Sequence, residues 1–162
     1  MKKFISKNAA ETQAVALELG LQILNTNIEK SAVVLALSGE LGAGKTTFLQ
    51  GFAKGLGIKE KILSPTFIIM RKFKIPPILK PHDFNNQRPL IIKVQYFYHL
   101  DCYRLKNEMD LEGLGFKEII SNPENIVAIE WPERIKKILP KKVIKITFKH
   151  KSENTRTLII RE

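Results

Sequence analysis

The sequence predicts an α/β fold of three layers, in which helices flank a central mixed β-sheet. Two neighbouring stretches carry this prediction. AVVLALS at 32–38 is an apolar run rich in β-branched residues and is typical of a buried strand. TTFLQGFAKGL at 46–56 spaces its apolar residues along one face of a helix, with glycines available to end it. Strands and helices that follow each other closely are the building units of layered α/β folds.

The turn between these two elements is a phosphate-binding motif. Gly39, Gly44, Lys45 and Thr46 fill the fixed positions of G-x-x-x-x-G-K-[ST]. Glycines let the backbone turn so that successive N–H groups point into a concavity that matches phosphate oxygens. Lys45 adds a positive charge, and the Thr46 hydroxyl is placed to ligate Mg²⁺. We therefore predict a P-loop NTPase-like fold, with a glycine-rich turn that binds no nucleotide as the alternative.

The other elements follow from apolar periodicity and turn residues. An edge strand is expected at 2–6, and Asn8 with Glu11 forms a capping box for a helix that ends near Asn25. Further strands are expected at 66–71, 93–101, 125–131, 141–149 and 155–161, and short helices at 111–120 and 132–140. The last two strands should pair as a hairpin, because the short turn HKSEN joins them.

Two acids are candidates for the metal side of the site. Phosphate chemistry needs an acid opposite Thr46, usually at the carboxyl end of a neighbouring strand. Asp101 and Glu130 occupy such positions, although each could instead cap a helix or form an ion pair. The sequence has no N-K-x-D segment, and DLEG at 110–113 is interpreted as a polar turn, so ATP is favoured over GTP.

Length and residue usage favour one domain over residues 1–162. No secretory signal and no apolar run of about 20 residues is visible, so we expect a cytoplasmic protein without a membrane span. Cys102 is the single cysteine and the three histidines lack metal-ligand spacing, which disfavours disulfides, cysteine chemistry and zinc.

The charge of the chain is strongly basic, with a formal net charge of +11. The segment 134–151 contains eight lysines and arginines and no acid. Such a segment suits contact with an anionic partner such as RNA. A solvated face in a lysine-rich protein is the simpler alternative, and the sequence does not decide between them.

Five motifs in order give the chain a resemblance to one family. They are GELGAGKTT at 39–47, SPTF at 64–67, HLDCYRL at 99–105, LEGLGFKE at 111–118 and IEWPE at 129–133. Only the first is common among unrelated nucleotide hydrolases. With this set the chain resembles the bacterial TsaE ATPases, which take part in making threonylcarbamoyladenosine in tRNA.

The resemblance implies a Mg²⁺-dependent ATPase that works with two partners, TsaB and TsaD. TsaD transfers the threonylcarbamoyl group to tRNA and TsaB acts as a scaffold, while ATP hydrolysis resets or regulates the assembly. Hydrolysis by the protein alone should be slow. Two rivals stay open: a small-molecule P-loop kinase, and a nucleic-acid-binding module in which nucleotide is structural.

The resemblance also implies roles for individual residues. The expected nucleotide contacts are Glu40, Leu41, Gly42, Ala43, Gly44, Lys45, Thr46, Thr47 and Arg156. The expected catalytic residues are Lys45, Thr66, Asp101 and Glu130, with Thr66 sensing the γ-phosphate. Thr46 and Glu130 would hold Mg²⁺, and the start of the first helix, at 8–12, would border the adenine.

The chain departs from the family pattern between Lys74 and Val94, where KIPPILKPHDFNNQRPLIIKV replaces a short turn. Its prolines exclude regular structure from the middle of the segment, so an extended surface excursion is expected. The segment also contains more apolar residues than a freely solvated loop would carry. We therefore expect some of them to pack against the domain or a partner.

Overall fold

A computed structural model describes residues 1–26, 30–77 and 94–162. The strands are β1 (Lys2–Ser6), β2 (Val33–Ser38), β3 (Met70–Lys74), β4 (Tyr96–Asp101), β5 (Asn125–Glu130), β6 (Ile144–His150) and β7 (Arg156–Arg161). The α-helices are α1 (Ala9–Asn25), α2 (Lys45–Gly55) and α3 (Phe116–Ser121), and two 3₁₀ helices cover Glu108–Leu114 and Pro132–Ile135. None of these helices is long and apolar enough to cross a membrane.

The seven strands form one mixed sheet in the order β1-β7-β6-β2-β5-β4-β3. β2 pairs in parallel with both β5 and β6, and β4 pairs in parallel with β5. β3 and β7 run antiparallel to their neighbours, and β6 and β7 form the expected hairpin. The carboxyl ends of β2, β4 and β5 therefore meet at one edge of the sheet, where ligands bind in folds of this class.

Different helices cover the two faces of the sheet, which confirms the three-layer α/β prediction. On one face, α1 and α2 bury a core that includes Leu35, Phe52 and Phe97. On the other, α3 and the 3₁₀ helices cover a second core around Leu111 and Ile129. Alternate residues of each central strand therefore face opposite cores.

Helices α1 and α2 approach each other closely because glycines lie between them. A Cβ atom at Gly51 would lie 2.2 Å from the carbonyl oxygen of Gln13, and one at Gly55 would lie 2.3 Å from that of Leu17. Both distances are far below van der Waals contact. The packing of α2 against α1 thus holds the helix that follows the phosphate-binding motif.

The helix cap predicted at Asn8 is confirmed with one difference. The Asn8 side chain accepts a hydrogen bond of 2.8 Å from the Glu11 N–H, as in a capping box. The Glu11 carboxylate accepts from the backbone N–H of Lys7, at 2.7 Å, and from the side-chain amide of Asn8, at 3.1 Å, rather than from the backbone N–H of Asn8. The helix still starts at the expected residue, because its first free N–H groups are satisfied.

The strand predicted at 66–71 is wrong in its position. β3 begins at Met70, after Ile69 in the left-handed conformation with φ of 64°. The hydroxyl groups of the SPTF segment at 64–67 donate hydrogen bonds to Asp101. These bonds hold the segment as a turn at the sheet edge, so extended structure starts only after it.

The two predicted short helices are also only partly right. The segment 111–120 is divided by Gly115, whose left-handed φ of 66° ends the 3₁₀ helix before α3 starts. The segment 132–140 is a single 3₁₀ helix, Pro132–Ile135, followed by turns. The spacing of apolar residues predicted helical structure in these segments. It did not predict where each helix ends.

The predicted insertion at 74–94 is anchored at both ends. Ile75 and Val94 are buried in the core beneath α1 and α2, at 3% and 7% exposure. The Ile75 N–H donates to the carbonyl of Gln95, at 2.8 Å, and so extends the pairing of β3 with β4. Residues 78–93 lie outside the described residues, so the rest of this prediction stays open.

Candidate nucleotide site

The phosphate-binding motif joins the carboxyl end of β2 to the first turn of α2. Gly39, Gly42 and Gly44 have φ of 153°, 72° and 99°, values that side-chain-bearing residues rarely adopt. A Cβ atom at Gly39 would also lie 2.9 Å from Phe148. The loop conformation therefore depends on glycine. The first turn of α2, where an anion is favoured, lines an open cavity.

Lys45 is folded back onto this loop. Its Nζ donates to the carbonyls of Gly39, at 2.8 Å, and Glu40, at 2.9 Å, and lies 4.1 Å from the ring centroid of Trp131. The side chain is buried, and this desolvation lowers the pKa of Lys45 below its ordinary value, against the opposing effect of Glu130. No acid among the described residues forms an ion pair with this ammonium, and a phosphate at the loop would supply such an opposite charge.

Thr46 and Glu130 meet across the loop. The Thr46 hydroxyl donates to Glu130 Oε1 at 3.0 Å, and the same oxygen lies 2.9 Å from Nε2 of His99. Glu130 is 3% exposed and ends β5, the strand next to β2. The pair predicted as metal ligands is therefore close enough to share one cation.

The oxygen chemistry at this point fits Mg²⁺. Among the residues that the structure describes, no three His, Cys, Asp or Glu side chains cluster as a metal-binding group. Mg²⁺ needs no such cluster, because it is usually bound by one or two protein oxygens, the substrate phosphates and several waters. A hydroxyl and a carboxylate beside a phosphate loop meet that requirement.

Asp101 holds the SPTF segment against the site. Its Oδ2 accepts hydrogen bonds from Ser64, at 2.7 Å, and Thr66, at 2.5 Å, and the two hydroxyls lie 2.6 Å apart. Its Oδ1 accepts from the N–H of Tyr103 at 3.0 Å. Asp101 and Glu130 are direct neighbours in the β4–β5 register, so both acids point into the same region.

These groups line one open cavity of about 380 Å³. Its lining residues are Leu41, Gly42, Ala43, Gly44, Lys45, Thr46, Thr47, Ser64, Thr66, Asp101, Tyr103, Glu130 and Trp131. The structure thus brings together all the predicted catalytic residues and most of the predicted nucleotide contacts.

Comparison with known proteins agrees with the motif set. The sequence profile of the family described as threonylcarbamoyl adenosine biosynthesis protein TsaE matches residues 6–158. The chain belongs to the TsaE family. TsaE of Bacillus subtilis is 33% identical over 156 residues, which are 96% of this chain and 82% of the relative. TsaE of Borreliella burgdorferi is 37% identical over 117 residues, 72% of each chain.

A solved structure supports the same family. The crystal structure of Bacillus subtilis YdiB matches with a TM-score of 0.70 and 28% sequence identity, over 98% of this chain and 83% of that one. This TsaE chain therefore has the P-loop NTPase fold. The family is named for the biosynthesis of threonylcarbamoyladenosine in tRNA.

Two predicted nucleotide contacts of this TsaE chain lie outside the cavity lining. Glu40 contributes its backbone carbonyl to Lys45, while its side chain is exposed. Arg156 donates to the carbonyls of Ser152, Glu153 and Thr155 in the β6–β7 turn, at 2.8 to 3.2 Å. Its role at the nucleotide therefore stays a prediction.

Sequence reasoning missed several residues of the TsaE site. Ser64 shares Asp101 with Thr66, and Tyr103 packs on Trp131 with ring centroids 5.0 Å apart. Trp131 is half-buried against the second core and also lines the cavity, because its left-handed φ of 58° turns the chain at the end of β5. His99 was also missed, although it lies two positions before Asp101 and hence on the same strand face.

Proposed function

We propose that this TsaE chain is a Mg²⁺-dependent ATP hydrolase that supports threonylcarbamoyladenosine formation in tRNA together with TsaB and TsaD homologues. One observation carries the proposal: Thr46 and Glu130 are hydrogen-bonded at 3.0 Å beside the loop that holds Lys45. This arrangement combines a phosphate cradle with a metal-binding pair. The metal-binding pair favours hydrolysis over a purely structural nucleotide, because a cation beside the phosphates would stabilise the charge that develops there in the transition state.

Each residue has a distinct role in the proposed hydrolysis. The N–H groups of the loop and of α2 bind the β- and γ-phosphates, and Lys45 turns from the loop carbonyls toward them. Thr46 and Glu130 would hold Mg²⁺, and the bound ion would neutralise charge on the phosphate oxygens. Asp101 orients the attacking water, and Thr66 responds to the γ-phosphate through its bond to Asp101.

Exposed apolar side chains around the cavity favour the proposal that a partner protein activates hydrolysis. Several large apolar side chains around it are exposed: Leu41 at 74%, Leu63 at 50%, Phe67 at 83%, Ile68 at 61% and Tyr103 at 41%. Exposed apolar side chains that gather at one site are typical of protein interfaces. A partner that covers this rim would exclude water and fix the SPTF segment, so hydrolysis by the isolated chain should be slow.

The test is phosphate release from ATP by the purified chain, in excess Mg²⁺ and in EDTA, with and without the TsaB and TsaD homologues. We expect metal-dependent release that rises when both partners are added. Equal rates with and without partners would contradict the regulatory part of the proposal. Transfer of the phosphoryl group to a metabolite instead of water would favour the small-molecule kinase.

A further inference from the structure

His99 is a buried polar residue on β4. It lies on β4 between Phe97 and Asp101, on the sheet face covered by α2, and is fully buried. Its backbone partner on β5 is Ala128, two residues before Glu130. The register of two parallel strands therefore places the imidazole beside the Glu130 carboxylate.

The His99 side chain contacts one oxygen of the Glu130 carboxylate. Its Nε2 lies 2.9 Å from Glu130 Oε1, and Oε1 also accepts from the Thr46 hydroxyl at 3.0 Å. Among the described residues, none donates a hydrogen bond to Glu130 Oε2. One oxygen of the carboxylate is thus held by two donors, which leaves the other available to a cation or its waters.

The second ring nitrogen shows that packing alone does not account for this histidine. Nδ1 is buried and has no hydrogen-bond partner among the described residues. A buried polar atom without a partner destabilises the folded protein, and an apolar side chain of similar size would avoid this cost. Because a carboxylate can only accept, Nε2 carries the ring hydrogen and donates a hydrogen bond to Glu130.

We propose that His99 is a positioning residue that fixes the Glu130 carboxylate, so that Thr46 and Glu130 together bind Mg²⁺ beside ATP. The inference rests on the proposed function, because it concerns the same metal. Residues that orient metal ligands by hydrogen bonds typically contribute about 10- to 100-fold to metal affinity or activity. His99 should therefore act on the metal without contacting the nucleotide.

The test compares His99→Gln with His99→Asn, two amides of different reach. The longer Gln side chain can place its N–H near the position of the imidazole Nε2, whereas Asn cannot. ATP affinity is measured by calorimetry in excess Mg²⁺ and in EDTA, with the melting temperature as a folding control. Mg²⁺ should raise the ATP affinity of the wild type, and this increase should be about tenfold smaller in His99→Asn. His99→Gln should keep most of the increase. Affinity in EDTA should change less than about twofold in both, since the loop is untouched.

The outcomes separate this inference from the proposed function. The positioning role would be overturned if Mg²⁺ raised ATP affinity equally in the Asn and Gln variants while both melted like the wild type. A fall in ATP affinity that is equal in Mg²⁺ and in EDTA would also overturn it, because it would indicate a purely structural histidine. A wild-type protein with neither a Mg²⁺ response nor hydrolysis would overturn the proposed function itself.

Discussion

Lys45 and Thr46 are adjacent residues with separate tasks in the proposed reaction. We expect Lys45→Ala and Thr46→Ala each to reduce ATP hydrolysis by roughly 10²-fold or more, since each removes a group that acts on developing phosphate charge. Thr46→Ser keeps the hydroxyl that contacts Glu130 and should retain most of the activity. Phosphate release measured beside melting curves checks this, and full turnover in both alanine variants would remove the phosphate-loop interpretation.

Glu130 and Asp101 should affect turnover more than nucleotide binding. The loop and Lys45 supply the phosphate contacts, whereas Glu130 touches Thr46 and Asp101 touches the SPTF hydroxyls. Glu130→Gln and Asp101→Asn should therefore lower kcat by at least about tenfold while ATP affinity in EDTA stays near that of the wild type. If binding in EDTA falls as far as turnover does in the Glu130 variant, its role is structural.

Strands, helices and turns could be predicted from the sequence where neighbouring residues determine them. The strand, glycine turn and helix around 32–56 follow from neighbouring residues, and the hairpin at the end follows from alternation. The SPTF turn was not predictable in this way, because it depends on Asp101, which is 35 residues from Thr66. His99 and Glu130 are likewise 31 residues apart, and only the parallel β4–β5 register joins them.

The close packing of α2 against α1 makes Gly51 sensitive to substitution. Replacing glycine by alanine normally stabilises a helix interior by about 1 kcal/mol. Gly51→Ala should instead destabilise the protein by about 1–3 kcal/mol, because its Cβ would overlap the backbone of α1 at Gln13. Gly113→Ala, whose Cβ would meet nothing within 4 Å, is the matched control. Denaturant unfolding measures both, and a Gly51 variant as stable as the control would show that the helices can separate freely.

The segment at 74–94 can be shortened only between its two buried ends. Because Ile75 and Val94 are part of the core, a deletion must keep them. Replacing 78–92 by a short glycine-containing turn should leave folding and ATP binding intact, since loop length costs only about 0.6 kcal/mol per doubling.

The same shortened protein should bind the TsaB–TsaD pair or tRNA less tightly. The segment carries cations and apolar residues that a partner or tRNA could contact. The affinities for the TsaB–TsaD pair and for tRNA, measured at one salt concentration, test this prediction. Unchanged association would identify the segment as a passive addition, and lost ATP binding would mean that it packs into the nucleotide site.

Nucleotide hydrolysis at the phosphate-binding loop is expected to serve tRNA modification. This is tested by the threonylcarbamoyladenosine content of tRNA from bacteria depleted of their own TsaE, measured by mass spectrometry. We predict that the wild-type chain restores the modified nucleoside and that Lys45→Ala, expressed to the same level, does not. Equal restoration by both proteins would contradict the account, because the chain would then support the modification without using its phosphate-binding loop.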